Sequence, residues 1–291
     1  MLRRLATPFA LAVIVSLANA VKPVVVDDTA YLTFARHIAA HPLDPYGFTM
    51  FWYTVPEPAM EILCPPVVPY WLAAGMTLFG ESVPLLKLWM FPFVWLFAWS
   101  LRELLRRFAR GTEGVVLPMV MLSPAVLPMV NVMLDIPAAA FGLAALAVFP
   151  RRALLAGLLA ALALQTKYTA LVVPPLLVWY GITTGRFKRS LVAVAVAVVA
   201  FAGWEALVAA KYGVSHFLFH LTQHSSGGGT WDYVEAKLSL IPPLAGHLGC
   251  LAVGLGFYAG RAVGVPRRWV LRAAAFWLVG AVLVFLLPHR F

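Results

Sequence analysis

Charged residues are scarce in this 291-residue chain, where they make up 12% of the sequence against 62% hydrophobic residues. A soluble domain carries about a quarter charged residues, so this scarcity excludes an ordinary soluble globule. The apolar runs are continuous rather than alternating, which argues against a membrane β-barrel. No nucleic-acid-binding module is recognisable, although the net charge is +10. The composition therefore predicts an all-α integral membrane protein.

Cysteine is almost absent, with only Cys64 and Cys250 in the chain. Their separation matches no metal-binding spacing, and they lie in unlike surroundings, so we expect no disulfide between them. An internal repeat is also lacking, whereas many transporters are built from two repeated halves. A transporter or flippase of a lipid-linked or anionic solute is therefore the alternative function rather than the preferred one.

Short basic clusters separate the apolar segments, which is the pattern that sets membrane orientation. With a cytoplasmic N-terminus we predict a polytopic bundle of about nine transmembrane helices, near residues 5–21, 86–101, 115–131, 136–149, 153–166, 168–183, 190–210, 239–260 and 269–288. This layout places most of the 22 lysines and arginines on the cytoplasmic side. The proline-crowded segment 65–80 is too short to cross and is predicted to be a surface helix in the first outer loop.

We expect one transmembrane domain over residues 1–291, with no soluble C-terminal domain. It divides into a signal anchor (1–21), a first periplasmic loop with juxtamembrane helices (22–85) and a helical bundle (86–288). The first segment is also compatible with a cleaved signal peptide, because Ala18-Asn19-Ala20 fits the small-residue cleavage pattern.

Acidic residues mark the outer ends of the predicted helices. Asp27 and Asp28 directly follow the first apolar segment, and Asp135 lies in the next outer turn. Carboxylates at the edge of a bilayer are costly to keep and indicate function. Converging carboxylates could act as a general base or hold a metal ion.

Five motifs in the same order resemble GT-C glycosyltransferases, the polytopic enzymes related to protein O-mannosyltransferases and lipid A aminoarabinose transferase. They are Asp27-Asp28-Thr29-Ala30-Tyr31 with His41-Pro42-Leu43-Asp44-Pro45-Tyr46, Pro65-Pro66-Val67-Val68-Pro69-Tyr70-Trp71, Gly80-Glu81-Ser82 with Leu86-Lys87-Leu88, Ser123-Pro124 with Asp135-Ile136-Pro137, and Gln165-Thr166-Lys167-Tyr168-Thr169 with Pro174-Pro175. The resemblance spans most of the first 180 residues.

The resemblance implies an inverting sugar transfer from a polyprenyl-phosphate donor to a lipid, glycan or protein acceptor. The reaction would take place on the periplasmic face of a bacterial inner membrane, with no nucleic-acid partner. Asp27 or Asp28 would be the catalytic base and Asp135 a second site carboxylate. Four residues would hold the donor: Lys167, Lys87, Arg36 and Tyr168. No cofactor is firmly implied, and a requirement for a divalent cation stays open.

Several positions also allow a structural interpretation. Asp135 could cap a helix, and Lys167 could extend to the membrane surface from a hairpin tip. Glu205 is expected to reach interface water or Lys211. Three histidines spaced by four residues would share one helix face: His216, His220 and His224. They could bind a metal ion, or they could form a polar stripe at the membrane interface. Because GT-C enzymes commonly continue with further helices, a truncated, non-catalytic relative is a further alternative.

Overall fold

The computed structural model describes residues 2–52, 54–123 and 126–223, without the side chains of residues 2–5 and 26. This part of the chain is mostly helical. Its helices are α1 (Leu2–Ala20), α2 (Val26–Ala40), α3 (Val67–Phe79), α4 (Val83–Trp89), α5 (Phe91–Phe108), α6 (Glu113–Met121), α7 (Asp135–Val148), α8 (Ala153–Leu164), α9 (Val173–Thr183), α10 (Phe187–Tyr212) and α11 (His216–Gln223). His224 and the predicted segments 239–260 and 269–288 lie outside the described residues.

Two helical stretches in the described part of the chain are long and apolar enough to cross a membrane. One is Val83–Phe108, which joins α4 and α5, and the other is α10. Five shorter apolar helices accompany them: Ala6–Ala20, Val67–Phe79, Asp135–Val148, Ala153–Leu164 and Tyr168–Thr183. The mostly helical fold is confirmed, whereas the number of nine crossings stays a prediction.

The predicted helix over 115–131 is only half formed. Helix α6 ends at Met121, and residues 126–131 form turns. The cause lies in the sequence, since a residue before proline is pushed out of the helical region and Pro124 follows Ser123 directly. Pro128 then removes another backbone donor. The prediction of one continuous helix here is wrong.

Three apolar clusters hold the helices together. Helices α1, α5, α6 and α7 share one, and α7 to α10 share a second. Helices α2, α3 and the start of α5 share the third. Small residues allow close approach at the second cluster, because a Cβ added at Gly157 of α8 would lie 2.5 Å from the carbonyl oxygen of Ala193 in α10. The packing brings the start of α7 to the turn after α8, and the segment just before α7 to α2.

The loop between α2 and α3 packs on the end of α10. It contains a two-stranded antiparallel hairpin, β1 (Thr49–Phe51) and β2 (Pro56–Pro58), and a short 3₁₀ turn, Ala59–Glu61. Phe34, Tyr46 and Ile62 form a buried cluster with Val208 of α10. The helix predicted near 65–80 is α3, whose 13 residues rise only about 20 Å, less than the ~30 Å of a bilayer core.

Candidate functional site

Asp27 and Asp28 both lie in the first turn of α2, but their side chains are used differently. Asp28 is fully buried, and its Oδ2 accepts a hydrogen bond from the backbone N–H of Val25 at 2.9 Å. Burial raises the pKa of Asp28, while the Val25 N–H and the Lys87 ammonium act in the opposite direction. Asp27 is half-buried, and among the described residues its carboxylate accepts no hydrogen bond. Asp28 therefore caps the helix, and Asp27 is the more available carboxylate.

Asp135 and Lys167 form an ion pair. Asp135 is the first residue of α7, and Lys167 lies in the turn that follows α8. The Lys167 Nζ is 2.6 Å from the Asp135 Oδ1, with 35% and 25% of the two side chains exposed. A partly buried pair of this kind fixes both side chains in space while leaving them accessible to a ligand.

Tyr31 lies within electrostatic range of all three predicted carboxylates. Burial raises the pKa of the Tyr31 hydroxyl most, followed by Cys64, and the charges of Asp27, Asp135 and Asp28 raise it further. Each charge must be near the hydroxyl to have this effect. The structure therefore brings the three predicted catalytic carboxylates into one neighbourhood. Tyr31 was absent from the predicted site, although it follows Asp27 by four residues and so shares its helix face.

Lys87 is 1% exposed and binds backbone carbonyl groups rather than facing solvent. Its Nζ donates to the carbonyl oxygens of Lys22, at 2.6 Å, and Pro23, at 3.0 Å. Lys22 in turn donates to the carbonyl oxygens of Leu127 and Val130. The two ammonium groups thus tie the α1–α2 connection to α4 and to the segment before α7. Burial lowers the pKa of Lys22, and the Lys87 charge lowers it further.

Arg36 does not join the carboxylates around Tyr31. Its guanidinium binds Glu81 through Nε and Nη2, and both side chains are 56% exposed. Arg36 follows Asp27 by nine residues, which places it roughly 13 Å further along α2 and on the opposite face. The predicted role of Arg36 at the donor phosphate has no support from this geometry.

Tyr168 belongs to a buried hydrogen-bond network that joins α10 to α11. Its hydroxyl lies 2.6 Å from the Nδ1 of His216 and 3.2 Å from the Oε1 of Glu205. Glu205 is 6% exposed, so the expectation that it reaches interface water or Lys211 is wrong. The histidine periodicity pointed to His216 and His220, but no spacing rule connects His216 to Tyr168, 48 residues away.

A metal site is not evident in the described ranges. No group of three or more His, Cys, Asp or Glu residues there is placed to hold a metal ion. His216 and His220 do lie side by side, with ring centroids 4.5 Å apart. The Nε2 of His216 lies 3.1 Å from the carbonyl oxygen of Ile62. This nitrogen is therefore already hydrogen-bonded rather than open to a metal ion.

Comparison with known proteins gives no match of the chain to a protein-family model, to a curated protein or to a solved structure.

Proposed function

We propose that this chain is a membrane glycosyltransferase of the GT-C type, which moves a sugar from a polyprenyl-phosphate carrier to an acceptor on the periplasmic face. The observation that carries the proposal is the ion pair of Lys167 with Asp135, which lies within electrostatic range of the same Tyr31 hydroxyl as Asp27 and Asp28. Such a site combines a base with a cation, the two groups that the transfer needs.

The reaction needs a base on the acceptor side. The acceptor oxygen attacks the anomeric carbon, the bond from that carbon to the phosphate oxygen breaks, and the acceptor proton passes to a carboxylate. We assign this role to Asp27, because its carboxylate is half-buried and accepts no hydrogen bond from the described residues. Asp28 is fully buried and caps α2, so it suits a structural role.

The leaving phosphate needs a positive neighbour, because negative charge develops on its oxygen in the transition state. We assign this role to Lys167, which is one-third exposed and stands beside the carboxylates. Asp135 holds the ammonium in place until a phosphate competes for it. Lys87 is less suited, since its buried ammonium already donates to two carbonyl oxygens.

The proposal includes the finer membrane arrangement. About nine crossings with a cytoplasmic N-terminus would put the end of α1, the start of α7 and the turn after α8 on the same side of the bilayer. The positions of Asp27, Asp135 and Lys167 around one neighbourhood support that part of the layout, since all three must lie at one membrane face.

The test is donor turnover by purified protein in nanodiscs, measured with a panel of labelled polyprenyl-phosphate sugars. We expect the Asp27→Asn and Lys167→Met variants to lose turnover, and Asp28→Asn, which keeps a side-chain acceptor, to retain most of it. Repeating the assay with a chelator tests for a divalent cation. Movement of an intact donor across the membrane without sugar transfer would favour a transporter. A folded wild type that neither binds nor consumes any donor would contradict the proposal.

A further inference from the structure

Glu205 has a buried carboxyl group whose two oxygens have four hydrogen-bonding neighbours. Oε2 accepts from the Ser215 hydroxyl at 2.7 Å and from the backbone N–H of Phe217 at 2.9 Å. Oε1 accepts from the Gln165 amide at 3.3 Å and from the Tyr168 hydroxyl at 3.2 Å. No ion pair of Glu205 is found in the part of the chain that the structure describes, and Lys211 on the same helix binds Asp44 instead.

The hydrogen-bond network continues beyond Tyr168. The Tyr168 hydroxyl lies 2.6 Å from the Nδ1 of His216, and the Nε2 of the same ring is 3.1 Å from the carbonyl oxygen of Ile62. Glu205 is therefore linked through Tyr168 and His216 to the loop between α2 and α3.

The network lies in the interior of the described fold. Glu205 is 6% exposed, and the His216 side chain is fully buried with its ring stacked on Tyr46, the centroids 4.7 Å apart. A buried carboxyl group is costly unless its oxygens are hydrogen-bonded, and both oxygens of Glu205 have donors. Removal of Glu205 would leave those donors without an acceptor in the interior.

We propose that Glu205 is a positioning residue that fixes the turn carrying Lys167 through Gln165 and Tyr168. Its carboxyl oxygens accept hydrogen bonds from these two residues and from Ser215 and Phe217, so the turn is held against α10 and the start of α11. The functional meaning of this positioning rests on the proposed glycosyl transfer, whereas the hydrogen-bond arrangement does not.

Glu205 acts on Lys167 through the turn that follows α8. Gln165 and Tyr168 flank Lys167 on both sides, and both contact the same oxygen of Glu205. The backbone N–H of Val67 also donates to the Gln165 carbonyl, at 3.2 Å, which ties the turn to the start of α3. With its flanks held, the Lys167 ammonium reaches Asp135. A displacement of about 1 Å at a reacting or charge-stabilising group is enough to lower a rate strongly.

The test compares Glu205→Leu with Glu205→Gln. The glutamine amide can donate to Tyr168 while its oxygen accepts from Ser215 and Phe217, whereas leucine can do neither. Leu207→Ala is the matched control, because Leu207 lies on the same helix and is 68% exposed. The readout is the acylation rate of the Lys167 amine in the full-length protein, measured by mass spectrometry with the exposed Lys188 as internal reference.

We expect Lys167 to be acylated several-fold faster in Glu205→Leu, and at the wild-type rate in Glu205→Gln and Leu207→Ala. An unchanged rate in Glu205→Leu would overturn the positioning role.

Donor turnover separates this inference from the proposed function. If turnover requires Lys167 but is unchanged in Glu205→Leu, the positioning role fails and the glycosyltransferase proposal stands. If no donor is consumed but Lys167 acylation still responds to Glu205→Leu, the proposed function fails and the positioning role stands.

Discussion

The buried imidazole of His216 makes stability depend on pH in a calculable way. Both ring nitrogens are engaged in the folded protein, by Tyr168 and by the Ile62 carbonyl, and the side chain is fully buried. Burial, followed by the His220 charge, lowers the pKa of His216 from 6.5 to about 3, with a smaller opposing effect from Ile62. The unfolded chain therefore binds a proton at a pH where the folded protein does not.

The sign and size follow from this difference. Where the unfolded state binds more protons, stability falls as the pH falls. The stabilisation that comes from burying a neutral His216 is complete above pH 6.5. It decreases as the pH drops towards about 3 and does not change further at lower pH. One pKa unit corresponds to about 1.4 kcal/mol, so acidification from pH 6.5 to 5 should lower the free energy of unfolding by roughly 2 kcal/mol.

The assay is unfolding by a denaturing detergent, followed by tryptophan fluorescence at several pH values. His216→Gln keeps a donor for the Ile62 carbonyl but does not titrate, so it should be less stable at pH 7 and show a smaller loss between pH 6.5 and 5. The difference between the two slopes isolates His216 from the other histidines. Equal slopes in wild type and variant would refute the reasoning, as would a wild type that gains stability on acidification.

Three further predictions concern packing, capping and the surface. In the same unfolding assay, Gly157→Ala should destabilise the bundle, because the added Cβ would meet a backbone carbonyl of α10. Gly203→Ala is the control: its Cβ would have open space, so the change should be neutral or stabilising by up to ~1 kcal/mol. Asp28→Ala should lower stability by on the order of 1 kcal/mol through loss of the acceptor for the Val25 N–H, and Asp28→Asn should retain most of it. Arg36→Gln should leave donor turnover and thermal stability nearly unchanged, since it breaks only an exposed ion pair; a large loss of turnover would instead place Arg36 in the site.

Local sequence signals predicted several features correctly for identifiable reasons. The continuous apolar runs predicted helices, and the short proline-led segment after Pro66 forms α3. Asp135 begins a helix, as the following Ile136-Pro137 suggests, because proline is best tolerated in the first turn of a helix. The error at α6 was also local, since the apolar composition of residues 115–131 outweighed the prolines that end the helix at Met121.

The chain by itself thus determined a helical, apolar protein and the acidic positions at helix ends, because these depend on composition and on residues close in sequence. Only the tertiary structure decided which partners those side chains have. Lys167 binds Asp135 across 32 residues, and Glu205 meets Tyr168 across 37. Such contacts arise from the packing of α7, α8 and α10 against each other, and no periodicity or spacing in the sequence encodes them. Because of that packing, Asp28 caps α2, Lys87 binds backbone carbonyl groups, and Glu205 is a buried acceptor that holds the turn carrying Lys167.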